Sequence, residues 1–290
     1  MIDLLDIRYV RLGTRDLEAA DRFAREVVGL ELARVEASAR WYRSDERDHT
    51  LVYFEGDPHD HTVGFELRDG AALDAAASAL SDQGFAVQHG NAEACEQRRV
   101  RGFVSFADPS GNRIELVERP HHSGRRHFPS RDAGITGFSH IGLCSTDAPR
   151  DEAFWCGVLG ARVSDRIGDA ALLRIDPVHH KIALFPTTRA GVQHVNHQVA
   201  GIDDVMRAWY GLRERGVKIV FGPGRHPTSG AVFLYFEGPD GMVFEYSTGV
   251  RHIAPEDEAG YLPRQFPHQP SSFCMWGSIP DIPEIKKDTP

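Results

Sequence analysis

Hydrophobic and polar positions alternate along this chain in short runs, broken twice in each half by a longer helical stripe. Residues 6–12 (Asp-Ile-Arg-Tyr-Val-Arg-Leu) read as a strand. From Asp16 to Val28 the apolar residues Leu17, Ala20, Phe23, Ala24 and Val27 fall on one face of a helix, and Gly29 stops it. Strand-like runs follow at 40–43, 50–54 and 62–67. A second helix is expected over 71–83, ending at Gly84. Strands at 85–88, 101–107 and 113–117 complete the pass, the last two joined by the turn Asp108-Pro109-Ser110-Gly111.

The same order returns about 130 residues later, a period that means duplicated modules rather than a solenoid. Tyr9-Val10-Arg11-Leu12 matches His140-Ile141-Gly142-Leu143, Phe23 matches Phe154, and Val27-Val28-Gly29 matches Val158-Leu159-Gly160. Thr62-Val63-Gly64-Phe65 matches His194-Val195-Asn196-His197. Each half reads as β-α-β-β-β written twice. The second half ends in a Gly/Pro-rich loop from Gly222 to Pro227, a strand at 231–237, the turn Gly238-Pro239-Asp240-Gly241, and a strand at 242–246. Glu245 there lies among Val243, Phe244 and Tyr246, a costly place for a carboxylate unless it is paired or binds a metal.

Superposing the halves isolates chemistry. Three positions coincide: Tyr9 with His140, Thr62 with His194, and Glu115 with Glu245. Taken singly, each histidine reads most simply as a strand residue bonded to backbone, and Glu245 as a strand-end carboxylate in water. Two histidines and a carboxylate at equivalent module positions instead form the ligand set of a non-haem Fe(II) centre with open coordination positions. Tyr9 and Thr62 are poor ligands for such an ion, so the first half reads as a scaffold copy. His197 is the rival to His194. The two are an odd number of residues apart and face opposite sides of a regular strand. The match to Thr62 favours His194.

The motifs Gly137-Phe138-Ser139-His140, His179-His180-Lys181-Ile182-Ala183, His194-Val195-Asn196-His197-Gln198-Val199, Gly222-Pro223-Gly224-Arg225-His226, Phe233-Leu234-Tyr235 and Phe244-Glu245-Tyr246 together resemble the vicinal-oxygen-chelate superfamily. Within it they resemble the two-module type I extradiol catechol dioxygenases, most closely those acting on 2,3-dihydroxybiphenyl and 2,3-dihydroxy-p-cumate. The resemblance spans nearly the whole chain. It implies an α+β fold of two tandem modules, each built from paired β-α-β-β-β units. It also implies Fe(II), or alternatively Mn(II), on His140, His194 and Glu245. His180 would be the acid–base histidine, and His226 and Tyr235 would contact substrate. His179 and His180 face opposite ways, so one of them can enter the site. The implied reaction inserts O2 into a substituted catechol beside its diol.

Composition narrows the rest. The 290 residues divide into an N-terminal module without metal (1–119), a linker (120–133), a catalytic module (134–250) and a tail (251–290) whose aromatics pack on that module. A net charge of −9 removes the electrostatic footprint of a nucleic-acid binder. With no apolar run of spanning length and no leader pattern, a cytoplasmic protein free of the membrane is expected. Four scattered cysteines fit reduced thiols. The expected partners are a catecholic small molecule, O2 and further copies of the chain. Two alternatives stand beside this reading. One is another metal-dependent enzyme of the superfamily, a hydroxyphenylpyruvate-type dioxygenase or a lyase. The other is a non-catalytic protein that binds small aromatics and carries no stoichiometric iron.

Overall fold

The structure of the protein, a computed structural model, describes residues 1–129 and 131–286. Contacts divide the chain into two compact units. One comprises Met1–Arg131 with Arg150–Ala161, the other Asp132–Pro149 with the chain from Arg162 onward.

The first unit holds β1 (Asp6–Thr14), β2 (Glu31–Glu36), β3 (Ala39–Arg43), β4 (Leu51–Glu55), β5 (His61–Leu67), β6 (Gln88–His89), β7 (Gly102–Ala107) and β8 (Arg113–Glu118). Its sheet order is β2-β3-β4-β1-β5-β8-β7-β6. Two β-α-β-β-β units therefore meet along β1 and β5, which pair antiparallel, while each pairs in parallel with its own last strand, β4 or β8. Helix α1 (Leu17–Arg22), capped by the Asp16 carboxylate on the Ala19 N–H, continues as a π turn over Phe23–Val28 and stops at Gly29 with φ of 81°. Helix α2 (Gly70–Asp82) is capped in the same way by Asp69. Helix α3 (Ala92–Arg98) follows β6. Residues 150–161, mostly helix α4 (Ala148–Gly157), pack in this unit, with Phe154 against Phe85 and Trp155 against Phe65 at ring separations of 4.9 and 5.5 Å.

The second unit repeats the plan with β9 (Ile135–Ser145), β10 (Arg162–Ile167), β11 (Ala170–Arg174), β12 (Ile182–Pro186), β13 (Val192–Val199), β14 (Ile219–Arg225), β15 (Val232–Glu237) and β16 (Val243–Thr248). A ninth strand, β17 (Arg264–Phe266), adds from the tail: the order is β14-β15-β16-β13-β9-β12-β11-β10-β17. Helix α5 (Ile202–Glu214) connects β13 to β14. The central strands β9, β13 and β16 are buried along most of their length, which is where a site shielded from water can be built.

Several elements depart from the sequence pattern. Strand β2 leaves no mark in it, because this edge strand is exposed toward its end and alternates weakly. Residues 85–88 are irregular until β6 begins at Gln88, and the polar stretch after it is helix α3. The Gly/Pro segment expected as a loop runs as β14 through Arg225. No described helix is long and apolar enough to cross a membrane.

Candidate metal centre

His140 lies on β9, His194 on β13 and Glu245 on β16, and all three side chains are buried. Strand register explains how they meet. His140 pairs with Asn196, His194 with Gly142, and Asn196 with Glu245. His140 and His194 are thus diagonal neighbours on one face, and Glu245 reaches the same face from the next strand. Gly142, directly opposite His194, is a spatial requirement: a Cβ there would stand 2.3 Å from His194 Nδ1. The donor atoms converge, with His140 Nε2 at 2.9 Å from His194 Nε2 and at 3.0 Å from Glu245 Oε2, and His194 Nε2 at 3.4 Å from the same oxygen.

That arrangement fits a metal ion on three counts. Ligands about 2.1 Å from a metal and at right angles to one another stand roughly 3.0 Å apart, near the spacing of the three donors. Glu245 Oε2 is buried and accepts no hydrogen bond, a costly state for a carboxylate oxygen unless a cation faces it. His194 Nδ1 donates to Gln193 Oε1, which leaves Nε2 bare toward the cluster, as a ligating imidazole requires. Among the described residues this is the one such group of His, Cys, Asp or Glu donors. His197 is buried on the other face of β13, its ring beside Phe138, and stands outside the group.

The electrostatics follow from burial. Burial alone would raise Glu245, but His140, His226 and His194 outweigh it and hold the carboxyl well below its usual range. Burial, helped by His140, pushes His194 down to about 3, so its imidazole is neutral and a competent ligand. His180 is likewise held well below its usual value by burial and by His140, whose ring centroid lies 4.3 Å away. Burial, with the Glu245 charge, raises Tyr235 well above its usual value, so its hydroxyl keeps its proton.

Around the donors, His180, His194, His226 and Tyr235 line a cavity of about 30 Å³ walled by apolar side chains that include Phe185, Phe273 and Ile285. That is room for a water-sized molecule, so a larger occupant requires those walls to shift. Tyr235 pairs across the ladder with Glu245. His226 donates from Nδ1 to the Phe273 carbonyl at 2.7 Å, and its Nε2 faces the Tyr235 hydroxyl at 3.3 Å. His179, the neighbour of His180, does not line the cavity; it bonds Asp165. Sequence reasoning missed Gln193, Asp165 and the Phe273 carbonyl. Their only signal is proximity in space.

A profile of the Glyoxalase/Bleomycin resistance protein/Dioxygenase superfamily matches residues 6–116 and 137–246. The chain belongs to that superfamily. Its two matches coincide with the two repeats seen in the strand order. A biphenyl-2,3-diol 1,2-dioxygenase of a Pseudomonas species is 30% identical over 93% of this chain and 95% of its own. An iron-dependent extradiol dioxygenase of Rhodococcus jostii is 28% identical over 95% of this chain and 97% of its own. Among solved structures, a Mn(II)-bound glyoxalase from Novosphingobium aromaticivorans superposes with a TM-score of 0.87 at 24% identity, covering 100% of this chain and 96% of that one, a likeness of fold.

Proposed function

We propose that this chain is an extradiol ring-cleaving dioxygenase, inserting both atoms of O2 into a substituted catechol with Fe(II) held by His140, His194 and Glu245. The observation that carries the reading is the buried triad itself: two imidazole nitrogens and an orphaned carboxylate oxygen, spaced as three ligands on one face of a single ion. The named relatives, alike along nearly their whole length, support the choice of reaction within the superfamily.

A bound Fe(II) would acidify the catechol hydroxyls and bring substrate and O2 together on one ion. The chain's own residues do the rest. Tyr235, kept protonated by its burial, offers a hydroxyl donor to a catechol oxygen. His226 is held by its Nδ1–H bond to the Phe273 carbonyl, which leaves its Nε2 facing the Tyr235 hydroxyl at the edge of the cavity. His180, neutral when the site is at rest, takes a proton from the substrate and returns it as the ring opens. The apolar walls, with Ile167, Leu172 and Phe185 among them, accept the ring and its substituent and exclude water.

Anaerobic reconstitution with Fe(II) and, separately, Mn(II) tests the reading, followed by oxygen uptake against a panel of substituted catechols. One O2 consumed per ring, with a yellow ring-opened product, is the expected result. Stoichiometric metal without oxygen uptake on any catechol would overturn it.

A further inference from the structure

We infer that Asp165 is a positioning residue: through His179 it sets the tautomer of His180, so that Nε2 is the His180 atom that takes and returns the proton. The inference deepens the dioxygenase reading and rests on it for the role of His180.

The geometry is a buried chain of three groups. His179 Nε2 lies 2.8 Å from Asp165 Oδ2, and His179 Nδ1 lies 3.0 Å from His180 Nδ1. All three side chains are buried. The two facing Nδ1 atoms must share one proton, so there are two consistent arrangements. In one, His179 carries its proton on Nε2 and donates to Asp165, leaving its Nδ1 bare to accept from His180 Nδ1–H. In the other, His179 Nδ1–H donates to His180, and a bare Nε2 faces Asp165.

Asp165 decides between them. An ionised carboxylate only accepts hydrogen bonds, so a bare nitrogen 2.8 Å from it is repelled. The tail keeps it ionised. Arg264 stands directly opposite Asp165 in the β10–β17 ladder. Its backbone N–H and Nε reach Asp165 Oδ1 at 2.9 and 3.1 Å, and its Nη2 reaches Oδ2 at 2.6 Å. Arg251 Nη2 adds a contact to Oδ2 at 3.2 Å. Burial alone would raise the Asp165 carboxyl, but the bonds from His179 and Arg264 bring it down to about 2. The first arrangement follows. His180 Nδ1–H is committed to His179, and the opposite nitrogen, Nε2, carries the free lone pair on the ring that lines the cavity.

The same chain gives β17 a task beyond packing: its Arg264 holds the carboxylate that orders two imidazoles. Replacing Asp165 by Ala removes the acceptor that selects the tautomer. His179 is then free to carry its proton on either nitrogen, and His180 becomes a mixture in which part of the molecules present an N–H to the substrate where a base is needed.

The test uses the full metal-free chain with 15N-labelled histidine. Long-range 1H–15N spectra report each ring's tautomer, with His179→Gln and His180→Gln assigning the signals. The expected wild-type result is His179 protonated on Nε2 and His180 on Nδ1, with both rings becoming tautomer mixtures in Asp165→Ala. In the Fe(II)-loaded protein, Asp165→Ala should lower kcat about 10-fold, less than losing the acid–base group itself, with KM for the catechol little changed. In a His180→Phe background the same substitution should cost nothing further. A wild-type His180 protonated on Nε2 overturns the inference, whether or not the Ala variant folds. So does an equal loss of kcat in the His180→Phe background. Absence of catechol cleavage by the wild type would instead remove the dioxygenase reading, while the spectra still decide the tautomers.

Discussion

The two units carry the same strand crossing and put different chemistry in it. In the second, His140, His194 and Glu245 converge. In the first, Tyr9, Thr62 and Glu115 hold the matching register positions: Tyr9 pairs with Gly64, Arg11 with Thr62, and Gly64 with Glu115, as His140 pairs with Asn196, Gly142 with His194, and Asn196 with Glu245. Both sheets therefore bury a glutamate at the same place and must neutralise it. The first does so from within. Arg98 grips Glu115 with Nε at 2.7 Å and Nη2 at 2.5 Å, and the Tyr9 hydroxyl donates at 2.6 Å. That arginine ends α3, between β6 and β7; among the described residues of the second unit no helix stands between the matching strands β14 and β15. In the second, no guanidinium among the described residues pairs with Glu245, and one of its oxygens accepts no hydrogen bond. One copy carries its own cation, and under the proposed reading the other borrows one. Even the neighbour is repeated. His49 stacks on Tyr9 at 5.2 Å as His180 lies over His140 at 4.3 Å, so the proposed acid–base position has a matching histidine in the first unit.

The largest effects should come from removing the proposed metal ligands. Glu245→Gln, His140→Ala and His194→Ala each delete a donor, so metal affinity should fall by more than about 100-fold, the upper range for losing a mere outer partner. Oxygen uptake should vanish with it. Metal content after dialysis and a far-ultraviolet spectrum separate lost metal from lost fold. Thr62→Ala, at the position matching His194, should leave metal content as it was. A loss of metal there would break the comparison.

Next come the twin histidines. His180→Phe should retain iron and bind catechol anaerobically, while kcat falls about 10²–10⁴-fold, the usual contribution of a general acid–base group. His49→Phe should leave kcat unchanged. Equal losses in the two variants would mean that stacking, rather than proton transfer, is what the position supplies.

Arg98 tests the other side of the pairing. Arg98→Ala strands the buried Glu115 carboxylate, and breaking one side of a buried pair costs about 3–5 kcal/mol. The unfolding midpoint in urea should drop accordingly with metal content per folded chain unchanged. A variant as stable as the parent would show that Glu115 takes up a proton or another partner, and the built-in cation would lose its meaning.

Much of this comparison was legible in the chain, and the reason is repetition. Alternation marked the central strands, because β1, β5, β9 and β13 are buried on both faces or nearly so and leave strong apolar runs. Matching the halves then brought out Tyr9 against His140, Thr62 against His194 and Glu115 against Glu245. What escaped was edge and insertion. Strand β17 is Arg-Gln-Phe, two exposed polar residues and one half-buried ring, with no period to read. Helix α3 buries only Cys95 and looks like polar loop. Arg98 and Asp165 are ordinary charged residues in sequence. Their weight comes from partners at separations of 17 and 99 residues, Glu115 and Arg264, which no local pattern encodes.

The smallest expected effect is the most local. Gly142 and Gly64 are the open positions that let a large ring stand opposite: His194 across from Gly142, Tyr9 across from Gly64. A Cβ on Gly142 would meet His194 at 2.3 Å, and one on Gly64 would meet the Tyr9 ring at 2.6 Å, both far inside contact distance. In each case the ring must yield, since the strands are fixed by their ladders. For Gly142→Ala the ring that yields is a proposed metal ligand. It also strains against Gln193, whose oxygen holds His194 Nδ1. Disturbing that outer bond weakens metal by about 10-fold or more, so the variant should bind Fe(II) about 10-fold less tightly and regain part of its activity at excess metal. For Gly64→Ala the ring that yields is a hydrogen-bond donor to Glu115, which Arg98 still grips. That variant should lose about 1–3 kcal/mol of stability, the usual cost of overpacking, and no metal affinity. Metal titrations alongside urea unfolding of the two alanine variants read both quantities. A Gly142→Ala protein with parental metal affinity would mean that His194 can ligate from a second rotamer, and the glycine would then be a packing choice in both halves alike.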